Sequence, residues 1–535
     1  MREQQTSVLI VGGGPVGLTT ALFLGRHGIR TILVEKRDGT STLPRAPGLQ
    51  ARTMELFRGA GIRKEIRELE MDDSHPYFEG GIIKVQSFAE IDDAVTLESP
   101  SLDGPTVSPE RVMGCGQDRY EKVLSNKARE AGCDIRFHTE LTSFEQDADG
   151  VTVSLRNRQT GLEETVRSAW LVGADGANSR TRTQLGVPQH GRGTVFNALS
   201  IYFRAPELEQ LLNGRKFILC YANARGTMMG LSRLHGCDPW LAAPIYHPER
   251  GETPEDFTDE RCVEIVRAAS GAPDMDVRIV AKVPWEGAQR VSESFRTGRV
   301  FLAGDAAHVH PPAGGFGANT GIHDAHNLAW KLAAVLHGWG GDALLDMYDT
   351  ERRRVGSAMA EQAMVRNRIR HGNAEAKDRA EMVDDIIVTL GYRYLSSGII
   401  DPEDSRVLTP KLELSGEPGT RAPHVWLRRG AESVSTVDLF WDTYVLLTVS
   451  GEDWINAAHQ AAKELGVPVR TYRIGQHGDL VDVDRDWATA NSIKPEGAVL
   501  VRPDGFVAWR SVGGPRSGDS LVRVLARAAG RTDHS

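Results

Sequence analysis

The apolar positions change period twice within the first 35 residues. Val8, Leu9, Ile10 and Val11 form an unbroken apolar run, the pattern of a strand covered on both faces. From Leu18 to His27 the positions Leu18, Ala21, Leu22 and Gly25 follow roughly an i, i+3, i+4, i+7 rhythm, which predicts a helix closed by Gly28. Thr31 to Glu35 reads as a strand again, so the chain opens with a βαβ unit. Later apolar runs predict a strand entering a turn at 170–180, a buried strand Val300 to Ala303 and a long helix Gly321 to His337. An amphipathic helix starts at Gln117 and carries Tyr120 and Leu124. After Gly416 the order is strand Tyr444 to Val449, a helix around Ala457 to Leu465, strand Val469 to Ile474, then apolar segments on either side of Pro503-Asp504-Gly505.

The turn inside the βαβ unit is Gly12-Gly13-Gly14-Pro15-Val16-Gly17. Gly12 permits the tight turn, Gly14 lets a pyrophosphate approach the backbone, and Gly17 lets helix and strand pack closely. The helix N-terminus then meets the phosphates, and Glu35, 18 residues beyond Gly17, is placed to accept hydrogen bonds from a ribose diol. A dinucleotide binds here, and this unit alone leaves FAD and NAD equally open. Asp175 lies in the turn after the 170–173 strand. Asp305 lies at the carboxyl end of the 300–303 strand, where ligands of open α/β sheets bind. Gly314 to Asn319 reads as a glycine loop ahead of the long helix, bare enough for a flat ring system to lie against backbone.

Composition narrows the rest. The 535 residues are 40% hydrophobic and 25% charged, an ordinary globular make-up, and at ~100 to 200 residues per domain the length predicts two to four domains. Lys+Arg 63 against Asp+Glu 72 leaves a formal charge of −9, which argues against a nucleic-acid partner. No run approaches the ~18 apolar residues of a membrane span, and the N-terminal residues lack a signal-peptide pattern, so a cytoplasmic protein is expected. Cys115, Cys133, Cys220, Cys237 and Cys262 show no CxxC spacing, so neither disulfides nor a zinc knuckle are expected, and the segment after Cys262 has no thiol for redox work. His308 and His310 are expected to be structural and no metal site is expected. His323, Asp324 and His326 are expected to cap the first turn of their helix, and at least two of Arg366, Arg368 and Arg370 to lie on a solvated face.

The GxGxxG unit, the Asp175-Gly176 turn and the Gly304-Asp305 turn, in this order and spacing, resemble the class A FAD-dependent aromatic hydroxylases, the group of para-hydroxybenzoate hydroxylase and phenol hydroxylase. The segments 251–257, 391–394 and the C-terminal pattern are most similar to the polyketide and anthracycline tailoring hydroxylases of the aklavinone 11-hydroxylase type. The resemblance implies an α/β protein: a Rossmann-like FAD-binding domain (1–74, 105–181 and 290–400), a β-sheet substrate-binding domain (75–104 and 182–289) and a thioredoxin-like C-terminal domain (413–535) lacking cysteines. Residues 70–110 and 190–250, where the likeness is weakest, are expected to line the substrate pocket. It implies non-covalent FAD held by Gly12, Gly14, Pro15, Gly17, Glu35, Lys36, Arg45, Gln117, Asp175, Asp305, Pro312, Gly315, Gly317, Ala318 and Asn319. Arg45, in Pro44-Arg45-Ala46, resembles the arginine of the family's mobile flavin segment, and Arg368 is the cluster member expected to stabilise a phenolate.

The implied chemistry is reduction of FAD by NAD(P)H, with NADPH favoured, addition of O2 to give a flavin C4a-hydroperoxide, and hydroxylation of a multi-ring phenol or quinone polyketide in antibiotic biosynthesis. Baeyer–Villiger insertion or oxidative ring-opening on the same flavin is an alternative, as is a non-catalytic flavin- or polyketide-binding protein. A monomer or homodimer is expected.

Overall fold

The structure is a computed structural model, and it describes residues 4–70, 80–99, 107–224, 227–234, 239–402, 405–484, 486–515 and 520–531. Parts of the 70–110 and 190–250 stretches expected at the substrate pocket, and Cys237, lie outside the described residues.

The first sheet runs, in spatial order, Val300–Leu302, Glu163–Gly173, Gln4–Val11, Thr31–Val34 and Asp134–Arg136, all parallel. A parallel sheet must be covered on both faces, which is why Val8 to Val11 are all apolar. Val8 and Ile10 face the helices Pro15–Arg26, Gln117–Glu130 and Phe316–Leu336, whereas Leu9 and Val11 face the hairpin Thr139–Gln146 and Val151–Asn157. The carboxyl ends of three of these strands deliver Gly12, Ala174 and Gly304 to one edge.

The second sheet has eight strands, centred on the long pair Gln189–Arg204 and Arg278–Ser292. Leu199, Ile201 and Phe203 point to one face and pack with Cys262, Val266 and Ala269 of the helix Asp259–Ser270. The alternate residues, including Phe196 and Tyr202, belong to the other face. On that face Gly287 stands opposite Phe196, and a Cβ there would collide with the Phe196 ring.

The third unit is a four-stranded sheet in the order Val469–Arg473, Tyr444–Thr448, Ala498–Val501, Val507–Ser511. Its first two strands are parallel and joined by the helix Glu452–Leu465; the other two pairs are antiparallel. Together with the terminal helix Leu521–Ala528, this is the thioredoxin-like arrangement. Tyr444 and Leu446 pack against Trp330, Ala334, Leu344 and Met347 of the first domain, whereas Val445 and Leu447 form a separate core with Leu427, Ile474 and Trp487. Trp441 extends the contact: its ring meets Phe23 and His326 and stacks on His27.

Several expectations are corrected. The long helix begins at Phe316, five residues earlier than its apolar rhythm indicated, so Gly317, Ala318 and Asn319 form its first turn and not a preceding loop. His323, Asp324 and His326 therefore cap nothing; they lie buried in the helix interior. Arg366 and Arg370 are also buried, because Asp385 and Glu98 pair with them, so the solvated face assigned to the arginine cluster is absent. The terminal helix was not anticipated, although Ser520 caps it and Leu521, Leu525 and Ala528 mark its buried side.

Burial lowers the pKa of six histidines among the described residues, His371 included. It lowers His27 and His424 to about 4 and His310 to about 3, and holds His323 and His326 well below the ordinary value. Below about pH 6.5 the unfolded chain binds protons that the native chain refuses, so stability must fall with falling pH. Glu121 and Asp305, whose pKa values burial raises, act in the opposite sense but are only two. The flavin-free protein is expected to melt at a lower temperature at pH 5 than at pH 7; a flat or rising profile over that window would show that these histidines are protonated in the native state.

Candidate active site

The three turns converge at the edge of the parallel sheet. Gly12 has φ +112, and a Cβ there would collide with the Ala174 carbonyl; a Cβ on Gly17 would collide with the Gly12 carbonyl. These two glycines are needed by the fold itself. Gly14 is different: its φ is −81 and a Cβ would meet nothing within 4 Å. It stands at the N-terminus of the helix Pro15–Arg26, which has no side-chain cap, with Pro15 in the first turn. Uncapped N–H groups and open space above Gly14 together form an anion seat. Glu35 accepts hydrogen bonds from the Gly13 N–H (2.7 Å) and the Arg37 N–H (2.9 Å), which fixes the loop and the carboxylate together. Lys36 is exposed beside it.

Asp175 turns inward. Its carboxylate accepts from the Ser179 hydroxyl and from the Thr181 N–H and hydroxyl, both at 3.0 Å, so it braces the turn preceding the short helix Arg180–Leu185. Arg182 of that helix donates to Ala306 O (3.1 Å) and Ala177 O (3.0 Å), which ties this turn to the Gly304-Asp305 turn. The sequence reading missed Arg182, because its two acceptors lie far apart along the chain.

Asp305 turns outward. Its side chain is accessible from the cleft and its carboxylate takes no hydrogen bond from the described residues. Burial by the walls around it raises its pKa; nearby His308 opposes this, and the charge of Asp324 adds a smaller push in the same sense as burial. Its turn is anchored from below: the Gly304 N–H donates to Asp324 Oδ2 (3.0 Å), which also contacts His308 Nε2 (2.7 Å), while Arg352 Nε donates to Asp324 Oδ1 (2.6 Å). Burial opposes the Asp324 charge, but Arg352 and His308 more than offset it and hold its pKa at about 2.

The glycines of the third motif divide into two kinds. A Cβ on Gly304 or Gly321 would press on Val16, so these two allow two helix starts to meet. Gly315, with φ +64, caps the long helix without a side-chain bond and faces open space, and Pro312 is exposed beside it; Gly317 and Ala318 are half-buried in its first turn. Asn319 is buried and fully engaged: it accepts from Gln50 N–H (2.9 Å) and the Thr53 hydroxyl (2.7 Å) and donates to Gly48 O and Gly315 O (both 3.0 Å). Its side chain therefore clamps protein to protein, and only its backbone in the first helical turn is left to meet a ligand.

Arg45 is exposed, next to Ala46, whose φ of +39 is rare for a residue with a side chain. Its carbonyl accepts from the Gln117 N–H (3.0 Å), and its guanidinium lies beside the Tyr202 hydroxyl, whose pKa burial raises and Arg45 partly restores. The Gln117 side chain donates to Glu121 (2.6 Å), which receives the Ser41 N–H (2.6 Å).

Above this floor, the free face of the second sheet carries an aromatic group. Phe196 meets Trp285 (5.5 Å) and His371 (5.8 Å), and His371 meets Tyr221 (5.9 Å). The Trp285 Nε1–H is buried without a partner. Arg370 lies beside Tyr221, gripped by Glu98 at 2.7 and 2.8 Å. Arg368 donates to Asp378 Oδ1 (2.9 Å); both arginines are therefore paired, and Arg370 is the one that lies beside the aromatic group.

These residues fit FAD: uncapped helix starts, the bare surface over Gly14 and Gly315, a fixed carboxylate at Glu35 and an unsatisfied one at Asp305. Known proteins agree. Residues 5–363 match the family model described as an FAD binding domain, and residues 415–532 match the aromatic-ring hydroxylase C-terminal model. This chain belongs to the FAD-dependent aromatic-ring hydroxylases. The hydroxylase is 43% identical to tetracenomycin A2 monooxygenase-dioxygenase of Streptomyces glaucescens, over 99% of this chain and 98% of that one. It is 40% identical to 4-methyl-5-nitrocatechol 5-monooxygenase of a Burkholderia species, over 95% and 94%. The crystal structure of aklavinone-11 hydroxylase with FAD and aklavinone superposes with a TM-score of 0.90 at 37% identity, covering 99% and 100% of the two chains. Among the described residues, no helix is long and apolar enough to cross a membrane and no cluster could hold a metal ion.

Two substitutions separate fold from cofactor. Gly14→Ala is expected to leave the melting of the flavin-free hydroxylase within ~0.5 kcal/mol of wild type while weakening FAD binding. Asp305→Ala is expected to lose about one to two decades of FAD affinity, the worth of a charged hydrogen bond. Fluorescence titration with FAD measures both; unchanged affinity in either variant would remove that residue from the site.

Proposed function

We propose that this hydroxylase acts on a multi-ring aromatic polyketide, a phenol or quinone, using O2 and NADPH in preference to NADH. The observation that carries the substrate class is the aromatic face of the second sheet: Phe196, Tyr221, Trp285 and His371 offer ring surface to a flat molecule. The partnerless Trp285 Nε1–H supports a carbonyl or quinone oxygen as acceptor there, since a buried donor without an acceptor is costly. The tetracenomycin and aklavinone names of the relatives point to the same class.

Bound FAD, once reduced by the nicotinamide, supplies the activated oxygen. The chain contributes the rest. The Gly14 loop and Glu35 would hold the adenosine half of FAD, Asp305 would accept hydrogen bonds from its hydroxyls, and Gly315 and Gly317 would present backbone to its ring system. The aromatic face sets the distance and tilt of the substrate ring and excludes water. Arg370 supplies a fixed positive charge that favours the phenolate, whose ring carbon is the better nucleophile. Arg45, exposed on a stiff proline-flanked segment, would lend its positive charge to the flavin ring when FAD is bound.

A second reading has one specific support. The tetracenomycin relative is named a monooxygenase-dioxygenase, so uptake of more than one oxygen atom, or ring opening on the same flavin, is the competing outcome. Mass and NMR analysis of the product formed under 18O2 separates the two, and absence of substrate-stimulated NADPH oxidation would leave only a binding protein. Arg370→Met is expected to lower turnover about 10²-fold and to raise the pH at which the bound phenol ionises. Arg368→Met is expected to change neither. Equal effects of the two variants would refute the assignment of the charge to Arg370.

A further inference from the structure

The Arg45 segment ends in the helix Ala51–Gly59, and that helix is gripped from the far end of the chain. Arg52 Nη2 donates to the Asp504 carbonyl (2.6 Å), in the hairpin between Ala498–Val501 and Val507–Ser511. Its guanidinium lies over the Phe506 ring at 5.7 Å, and its Nη1 donates to Glu55 Oε2 (2.9 Å). Glu55 is held in turn by Arg421, and Ser108 donates to it at 2.6 Å. The hairpin is itself locked. Arg502 pairs with Glu351, and the Asp504 side chain accepts from Trp330 Nε1 (3.2 Å) and Asn327 (3.3 Å). Lys331 completes the group, donating to Glu351 at 2.6 Å. All these charges are buried, so each is fixed in place by its partners.

The same N-terminal end of the helix meets Asn319, which joins Gln50 and Thr53 to Gly48 and Gly315. Thus six residues separate the Arg52 anchor from Arg45, and among them is Ala46 at φ +39. An alanine in that conformation persists only where its surroundings over-determine it. On its other side the segment is held by Cys115 N–H to Pro47 O (2.8 Å) and by the pairing of Gly48–Leu49 with Met113–Gly114.

We propose that Arg52 is a positioning residue through which the C-terminal domain sets the conformation of the Arg45 segment. The thiol-free domain thereby serves the oxygenation site at a distance. The inference rests on reading the Arg45 segment as flavin-facing, and one of its tests is independent of turnover.

In Arg52→Lys the charge remains, but an ammonium cannot hold Glu55 and Asp504 together while lying flat on Phe506. Three quantities are measured well below its melting temperature: tryptic cleavage at Arg45–Ala46 in the flavin-free protein, the visible circular dichroism of bound FAD, and hydrogen peroxide released per NADPH. Trp454→Phe, in the C-terminal core with its ring against Trp509, serves as a control for stability lost elsewhere in the domain. The expected result is at least tenfold faster cleavage, an altered flavin signal and more peroxide in Arg52→Lys, with wild-type behaviour in Trp454→Phe. Wild-type cleavage and coupling in Arg52→Lys, or equal changes in both variants, would overturn the proposal. Should Arg52→Lys fail to fold, Phe506→Leu, which removes the ring and keeps every charge, carries the same expectation. A holoenzyme that oxidises no NADPH with any aromatic substrate would sink the functional reading alone, since cleavage still decides the role of Arg52.

Discussion

Asp324 has no access to water, and a buried carboxylate must find its counter-charge and its donors inside the protein. It does so with three partners from three places in the chain: the Gly304 N–H, His308 and Arg352. Meeting that requirement fixes the turn that presents Asp305 and docks the long helix Ala343–Arg370 against Phe316–Leu336. Arg352 also donates to Thr320 O (3.1 Å) and to the Tyr394 hydroxyl (3.2 Å), which draws the 392–394 segment to the same point. The exposed carboxylate that awaits a ligand is therefore held in place by a buried one that does not.

The helix Phe316–Leu336 repeats this device along its length. Asn319, His323, Asn327 and Lys331 follow at intervals of four, so they form one buried polar row. Asn319 meets the Arg45 segment, His323 meets Thr53 at 3.1 Å, and Asn327 and Lys331 meet Glu351. A helix polar on one side would ordinarily turn that side to water. Here the row is covered by the helix Ala51–Gly59 and by the C-terminal hairpin.

This explains what could be read from the sequence and what could not. The glycine turn, Glu35, the two later turns and the strands of the C-terminal unit follow from local rules, and the structure has these elements where those rules put them, to within a few residues. The polar row resisted the same rules because its partners lie far along the chain. His323, Asp324 and His326 read as end caps only because no nearby residue accounted for them. Likewise Arg366 and Arg370 look solvent-facing until Asp385 and Glu98 are known to stand opposite them. The helix start was misplaced because Phe316 to Thr320 carry two small residues and two polar ones, and the turn they form is stabilised by packing and by Asn319. Arg182 and the aromatic face are tertiary features throughout.

The hydrogen bond from Arg52 to Asp504 spans 452 positions. A ribosome adding about 5 to 20 residues per second makes the second partner on the order of a minute after the first. Throughout that interval the nascent chain carries the glycine turn and Glu35 in its sequence but lacks the contact that closes the Arg45 segment. The order of synthesis therefore leaves the contact between Arg52 and the C-terminal hairpin to close late, after the strands that carry the three turns have been made.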